Sequence, residues 1–119
     1  ISDPSNPRLT GQVWLGGLLG KAPEVNGLEI NGAPQMIQLS LDGKRLFVTT
    51  SLFSTWDNQF YPKMKENGGQ LLIVDCDVEN GGMAIRDDFA IDFGQEPHGP
   101  ARAHETRYPG GDCSSDIWV

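Results

Sequence analysis

The sequence has few residues that can form a disulfide or bind a soft metal. Its 119 residues include two cysteines, Cys76 and Cys113, and two histidines, His98 and His104. Two cysteines do not make a disulfide framework, and neither belongs to a Cys-x-x-Cys pair, so no structural zinc site is encoded locally. We interpret both as reduced thiols of a cytosolic protein.

The sequence also lacks an excess of positive charge and any long apolar run. The formal net charge is −7, which argues against a nucleic-acid backbone or an anionic membrane as the main partner. No stretch approaches the ~20 apolar residues of a membrane span, so we expect at most peripheral contact with a membrane. The first residues lack the pattern of a signal peptide. Because the sequence begins with Ile1 and not with methionine, we interpret it as a processed chain or a fragment.

Turn-forming residues and short apolar patterns are what the sequence does contain. Fifteen glycines and eight prolines indicate short elements separated by turns. Residues 36–41 alternate in polarity, an Asp-Gly turn at Asp42-Gly43 follows, and residues 45–50 are rich in β-formers, which together predict a hairpin. The apolar run 70–75 predicts a strand covered on both faces. Residues 83–93 predict a fourth strand, with a break at 86–88.

These strands predict an all-β fold built on a four-stranded antiparallel meander over residues 35–93. Such a meander is one blade of a β-propeller, and a flat or curled sheet is the alternative. Residues 1–34 form a lead-in with short strands expected at 12–15 and 28–30. Residues 51–69 form an aromatic insertion with a short helix at 62–66. Residues 94–119 are expected to form a site-bearing loop and a terminal strand.

The C-terminal run 103–119 concentrates reactive side chains around Pro109-Gly110-Gly111. Proline lacks the backbone N–H and paired glycines are costly to order, so no helix passes through this point. The run is therefore predicted to be a shaped loop, and polar loops are where sites are commonly built.

Three stretches of the sequence resemble one known family. Residues 35–46, residues 51–62, and residues 103–105 with 107–118 are similar to the selenium-binding protein family, which includes copper-dependent methanethiol oxidases. The resemblance covers nearly all residues from 34 to 119, and the lead-in is more divergent. Three residues depart from the family pattern, since Ala33 stands where glycine is favoured and the family reserves neither position 76 nor position 98 for the Cys76 and His98 found here.

The resemblance implies that the chain is the C-terminal part of a cytosolic β-propeller. The implied reaction converts methanethiol, oxygen and water into formaldehyde, hydrogen sulfide and hydrogen peroxide. Copper would pass electrons between the thiolate and oxygen, with the remainder of the propeller required, so the isolated chain is expected to be inactive. Selenium binding is also implied. Two alternatives remain open, a non-enzymatic selenium- or metal-binding redox or interaction protein, and a structural piece that completes a propeller with another polypeptide.

Within this resemblance, His104 matches a copper-ligating histidine near the family's C-terminus. Imidazole is a good copper ligand, and the alternative is a histidine that hydrogen-bonds within the loop and orders it. Glu105 and Asp112 are candidates for carboxylates that orient ligand histidines, or else they are solvated surface groups. Cys113 can bind soft metals, but structural burial is the favoured interpretation.

Other polar and aromatic residues have structural interpretations. Arg107 is expected to pair with Asp112 or Asp116 as a loop clasp, and Tyr108 to be a packing residue. Trp56 and its aromatic neighbours are expected to seal the blade, with an apolar pocket wall for a small thiol as the alternative. A metal pair of His98 with His104 is not favoured, because Gly99 and Pro100 lie between them and no helix fixes their spacing. Cys76 is interpreted as incidental.

Overall fold

The strands in the described part of the chain form one antiparallel sheet. The computed structural model describes residues 3–107. Its elements, in chain order, are β1 (Ile37–Leu39), β2 (Arg45–Thr49), α1 (Ser54–Phe60), α2 (Met64–Asn67), β3 (Gln70–Cys76), β4 (Met83–Asp92) and a 3-10 turn (Phe93–Gln95). The strands lie in the order β1-β2-β3-β4 and each pairs antiparallel with the next. The predicted four-stranded meander is therefore confirmed.

The β1–β2 hairpin closes where the sequence predicts it. The carboxylate of Asp42 accepts hydrogen bonds from Ser40 Oγ at 2.5 Å and from the Lys44 backbone N–H at 3.1 Å. It also pairs with Arg45 Nη2 at 3.1 Å. An Asp side chain that accepts bonds from the turn's own backbone holds the chain reversal in place.

We expect the Asp42 carboxyl to titrate with a pKa of about 2, against an ordinary value of 3.8. The hydrogen bond from Ser40 is the largest cause, followed by the Lys44 backbone N–H. Because folding lowers this pKa, the stabilisation is present above about pH 4 and is lost as the pH falls through about 2. NMR titration of the side-chain carboxyl carbon measures the pKa directly. Ser40→Ala should raise the pKa of Asp42, and an unchanged value in that variant would contradict the assignment.

The apolar core lies on one face of the sheet, under the lead-in. Val48, Leu72 and Val74 come from the strands, and Leu15 and Val25 from the lead-in, and all are buried. A side chain of this size contributes roughly 1.5–3 kcal/mol when it is fully buried. The lead-in thus covers the middle of the sheet.

The lead-in covers the sheet without forming strands, so the strands predicted at 12–15 and 28–30 are wrong. Its only β-type pairings in residues 3–107 are isolated bridges, Gly16 with Lys21 and Val25 with Leu28. Positive φ angles at Gly16, at Gly17 and at the non-glycine Asn26 turn the backbone repeatedly. These turns interrupt the extended backbone, and residues 3–34 pair only through the two isolated bridges.

The third and fourth strands pair with an irregularity close to the predicted break. Leu72 faces Ala90 and Val74 faces Ile85, so residues 86–89 lie opposite a single residue of β3. The strand nevertheless continues through this bulge. Arg86 forms an ion pair with Asp75 of the neighbouring strand at this point.

The aromatic insertion folds into two short helices. Helix α2 overlaps the predicted helix at 62–66, whereas α1 is not anticipated by the sequence. Phe53 and Trp56 contact each other, with ring centroids 4.9 Å apart, but Trp56 is 53% exposed and Phe60 57%. The prediction that these aromatic residues seal the sheet is therefore wrong for the described part of the chain. Within the two helices, Asp57 and Met64 are the buried residues.

The helices in this part of the chain are short. Within residues 3–107, neither has the length and apolar character needed to cross a bilayer.

Candidate functional site

The segment 101–104 lies against the ends of strands β2 and β3. The Gly69 N–H donates to the Ala101 carbonyl at 3.0 Å, and the Ala101 N–H donates to the Phe93 carbonyl at 2.9 Å. The hydroxyl of Thr49, the last residue of β2, donates to the His104 carbonyl at 2.6 Å. Thr49 itself is completely buried. The backbone that carries His104 is therefore attached directly to the sheet.

The imidazole of His104 takes no part in this attachment. The residue is exposed, and within residues 3–107 its ring makes no hydrogen bond, since only its backbone carbonyl is engaged. The alternative in which the ring orders the loop by hydrogen bonding has no support in this part of the chain. A neutral imidazole with a free ring nitrogen can ligate a metal.

Residue Arg102, two positions before His104, is held by the insertion. Its Nη2 donates to Asn58 Oδ1 at 2.6 Å and to the Met64 carbonyl at 2.7 Å. Its Nη1 lies 3.7 Å from Asp57 Oδ2. One guanidinium thus connects α1, α2 and the segment 101–104.

Asp57 completes a buried polar network on the other side of Arg102. Its carboxylate accepts a hydrogen bond from Ser51 Oγ at 2.6 Å and one from the Leu52 N–H at 3.1 Å. The Asp57 side chain is only 4% exposed and that of Arg102 13%. Burying a carboxylate is costly unless it is paired and hydrogen-bonded, and both conditions are met here.

The described part of the chain does not contain a complete metal centre. No group of three or more histidine, cysteine, aspartate or glutamate side chains in residues 3–107 is arranged to hold a metal ion. His98 is exposed, like His104. His104 thus offers a single imidazole, and a metal held there would need further ligands from elsewhere.

One predicted site residue, Glu105, lies within the described range, and several others lie beyond it. Glu105 is exposed and accepts a hydrogen bond from Arg107 Nη2 at 3.1 Å. Asp112 and Asp116, the carboxylates predicted to pair with Arg107, lie outside the described residues, and so do Cys113 and Tyr108. The possible role of Asp112 in orienting ligand histidines therefore also falls outside them. Their predicted roles stay predictions.

Cys76 lies at the far end of β3, beside Asp75 and Asp77. Burial raises the pKa of its thiol, and the negative charge of Asp75 raises it further. A raised pKa disfavours the thiolate, which is the reactive and metal-binding form. The interpretation of Cys76 as incidental is consistent with this environment.

Sequence reasoning missed Thr49, Asp57 and Arg102, which position the segment. No local pattern marks these residues, because the groups they hold are distant in sequence: Arg102 is 44 residues from Asn58, and Thr49 is 55 residues from His104. Contacts of that separation follow from the fold.

In residues 3–107, the fold and the site define a mostly-β chain with one four-stranded sheet and an exposed histidine held at the end of a central strand. The model of the family described as 56kDa selenium binding protein matches residues 1–119. The chain belongs to this selenium-binding protein family, as its resemblance predicts.

Curated relatives match the whole chain. It is 54% identical to selenium-binding protein 1 of Arabidopsis thaliana and 54% identical to a human protein named methanethiol oxidase, and both alignments cover 100% of the chain. They cover 28% and 29% of those relatives, so the chain spans less than a third of their length.

A solved structure has the same fold. The crystal structure of a hypothetical selenium-binding protein from Sulfolobus tokodaii is similar with a TM-score of 0.78 and 46% identity. The match covers 98% of this chain and 24% of that one.

Proposed function

We propose that the chain is the C-terminal part of a copper-dependent methanethiol oxidase of the cytosol. The reaction would convert methanethiol, O2 and water into formaldehyde, hydrogen sulfide and hydrogen peroxide. Relatives named methanethiol oxidase at 54% identity support the activity. The observation that carries the proposal at the site is His104, whose backbone is held by Thr49 while its ring stays exposed.

His104 would supply one imidazole to the copper. Copper, when bound, supplies one-electron chemistry that links a thiolate to O2. The role of this chain's residues is to hold the ring in place, through the hydroxyl of Thr49 and the buried Asp57–Arg102 pair. Because one histidine cannot hold a catalytic copper, we expect the isolated 119-residue chain to be inactive.

The need for further polypeptide is supported by the first strand. Ile37 and Leu39 share a face with the core residues Val48 and Leu72 through their register in the sheet. Ile37 is nevertheless 58% exposed, and Leu41 in the adjoining turn is 71% exposed. A strand edge with uncovered apolar side chains favours association, and other blades of a propeller would cover it.

The matched pair His104→Ala and His98→Ala tests the role of His104, using the full-length protein that contains this chain. We expect His104→Ala to lower copper content and to reduce methanethiol-dependent peroxide formation by at least about 100-fold, since even the loss of an outer-sphere partner costs 10–100-fold. His98→Ala should change neither. Copper content is measured by mass spectrometry and peroxide by a coupled assay.

Two results would redirect the proposal. Equal effects of the two substitutions would remove His104 from the site. Copper loading of the unaltered protein without methanethiol turnover would favour the second candidate, a non-enzymatic selenium- or metal-binding protein, which is supported by relatives named selenium-binding protein.

A further inference from the structure

The segment that carries His104 is fixed by contacts of three kinds. Ala101 is bound through its backbone N–H and carbonyl, and His104 through its carbonyl. Between them, Arg102 is bound through its side chain to Asn58 and Met64. The side-chain contact is the one that reaches helices α1 and α2, so it fixes where the segment lies relative to them.

The chemistry of the contact requires an arginine. Its planar guanidinium presents several N–H donors in a fixed fork, whereas a lysine carries its donors on one flexible nitrogen. Arg102 uses Nη2 for two acceptors and turns Nη1 toward Asp57. A lysine at this position keeps the charge but cannot reach all of these groups with the same geometry.

One donor of this contact is unsatisfied. Arg102 Nη1 is buried and has no hydrogen-bond partner among residues 3–107, and the nearest carboxylate oxygen, Asp57 Oδ2, is 3.7 Å away. A buried donor without a hydrogen bond destabilises the fold, and such donors are rare in folded proteins. The ion pair of Arg102 with Asp57 is thus retained at some cost to stability. This cost indicates that the pair has a role in positioning the segment 101–104.

We propose that Arg102 is a positioning residue for His104, acting from the buried Asp57 carboxylate through the segment 101–104. It orders the backbone that presents the imidazole. The part of this inference that concerns copper rests on the proposed function, whereas the ordering of the segment does not.

The ordering is tested by NMR on the metal-free full-length protein that contains this chain. We compare the unaltered chain with Arg102→Lys, and use Arg86→Lys as the control because Arg86 forms a partly exposed ion pair with Asp75. Arg102→Lys should lower the backbone order parameters of Ala103 and His104 from about 0.85 toward 0.6, while those of β3 stay unchanged. Arg86→Lys should leave Ala103 and His104 unchanged.

A second variant covers the case in which Arg102→Lys fails to fold. Asn58→Ala removes one acceptor of Arg102 and leaves the ion pair with Asp57 in place. It should lower the same order parameters by a smaller amount. Unchanged order parameters in a folded Arg102→Lys or Asn58→Ala chain would overturn the inference.

The copper part is tested in the full-length protein by Cu(II) titration and electron paramagnetic resonance. We expect Arg102→Lys to weaken Cu(II) binding about 10-fold, as outer partners of metal ligands do, and to change the g and hyperfine values. Unchanged Cu(II) affinity and spectra in that variant would overturn this part. If the unaltered protein binds no copper while the segment of the variant loses order, the proposed function fails and the positioning role of Arg102 stands.

Discussion

Replacing Asp57 with alanine should destabilise the fold by about 3–5 kcal/mol, the range found when one partner of a buried ion pair is removed. The substitution leaves the Arg102 guanidinium buried without a counter-charge. It also removes the acceptor of the Ser51 hydroxyl and of the Leu52 N–H. Domains of this size commonly have a free energy of unfolding of only about 5–15 kcal/mol. The substitution would therefore remove a large fraction of that free energy. Urea denaturation followed by circular dichroism measures the change.

The matched control is Asp75→Ala on the same sheet. Asp75 also pairs with an arginine, but the two side chains are 44% and 36% exposed. Exposed pairs contribute about 0–1 kcal/mol. If Asp75→Ala proved as destabilising as Asp57→Ala, burial would not be what makes the Asp57 pair important.

Replacing Gly32 with alanine should cost about 2–5 kcal/mol. Gly32 has a φ of 84°, in the left-handed region that costs other residues about 1–2 kcal/mol. An added Cβ would lie 2.3 Å from the Thr50 carbonyl oxygen and 2.8 Å from Met64 Sδ. Forcing extra volume into a packed interior costs typically 1–3 kcal/mol more. Chemical denaturation again gives the free energy of unfolding.

Gly27→Ala separates the two contributions to that cost. Gly27 has a φ of 74°, close to that of Gly32, but an added Cβ would meet nothing within 4 Å. Gly27→Ala should therefore lower the free energy of unfolding only through its left-handed backbone conformation, by about 1–2 kcal/mol. An equal loss in both variants would show that the close approach of Gly32 to Thr50 and Met64 is not important.

The strands were predictable because their signals are local. Alternation at residues 36–41 and the Asp42-Gly43 turn are short-range patterns, and the structure places a hairpin there. The apolar run at 70–75 likewise became β3, whose first five residues are buried. Each of these features depends on neighbours within a few residues.

The lead-in and the aromatic insertion were harder to predict for a physical reason. Residues 12–15 have a strand-like composition, but their partner surface is the face of the sheet and not a strand edge, so Leu15 is buried without a ladder. In the insertion, the aromatic residues suggested a core, whereas the residues that its two helices bury are Asp57 and Met64. Burial of a charged residue depends on a distant partner, which composition does not show.

For the candidate site, the sequence points to a residue but not to the contacts that hold it. The sequence singles out His104, and its resemblance to a family suggests a copper ligand. Only the structure shows that Thr49 holds its carbonyl and that Arg102 ties its segment to the insertion. These supporting residues carry no local motif, because their partners are 55 and 44 residues away in sequence.

That separation in sequence has a consequence for how the chain assembles. The hairpin of β1 and β2 joins residues about ten apart, whereas the contact between Thr49 and His104 closes a loop of 55 residues. Long loops lose more chain entropy on closure and form later in folding than short ones. The sheet should therefore be in place before the histidine segment docks, so an incompletely folded molecule would carry an intact sheet and an unassembled site.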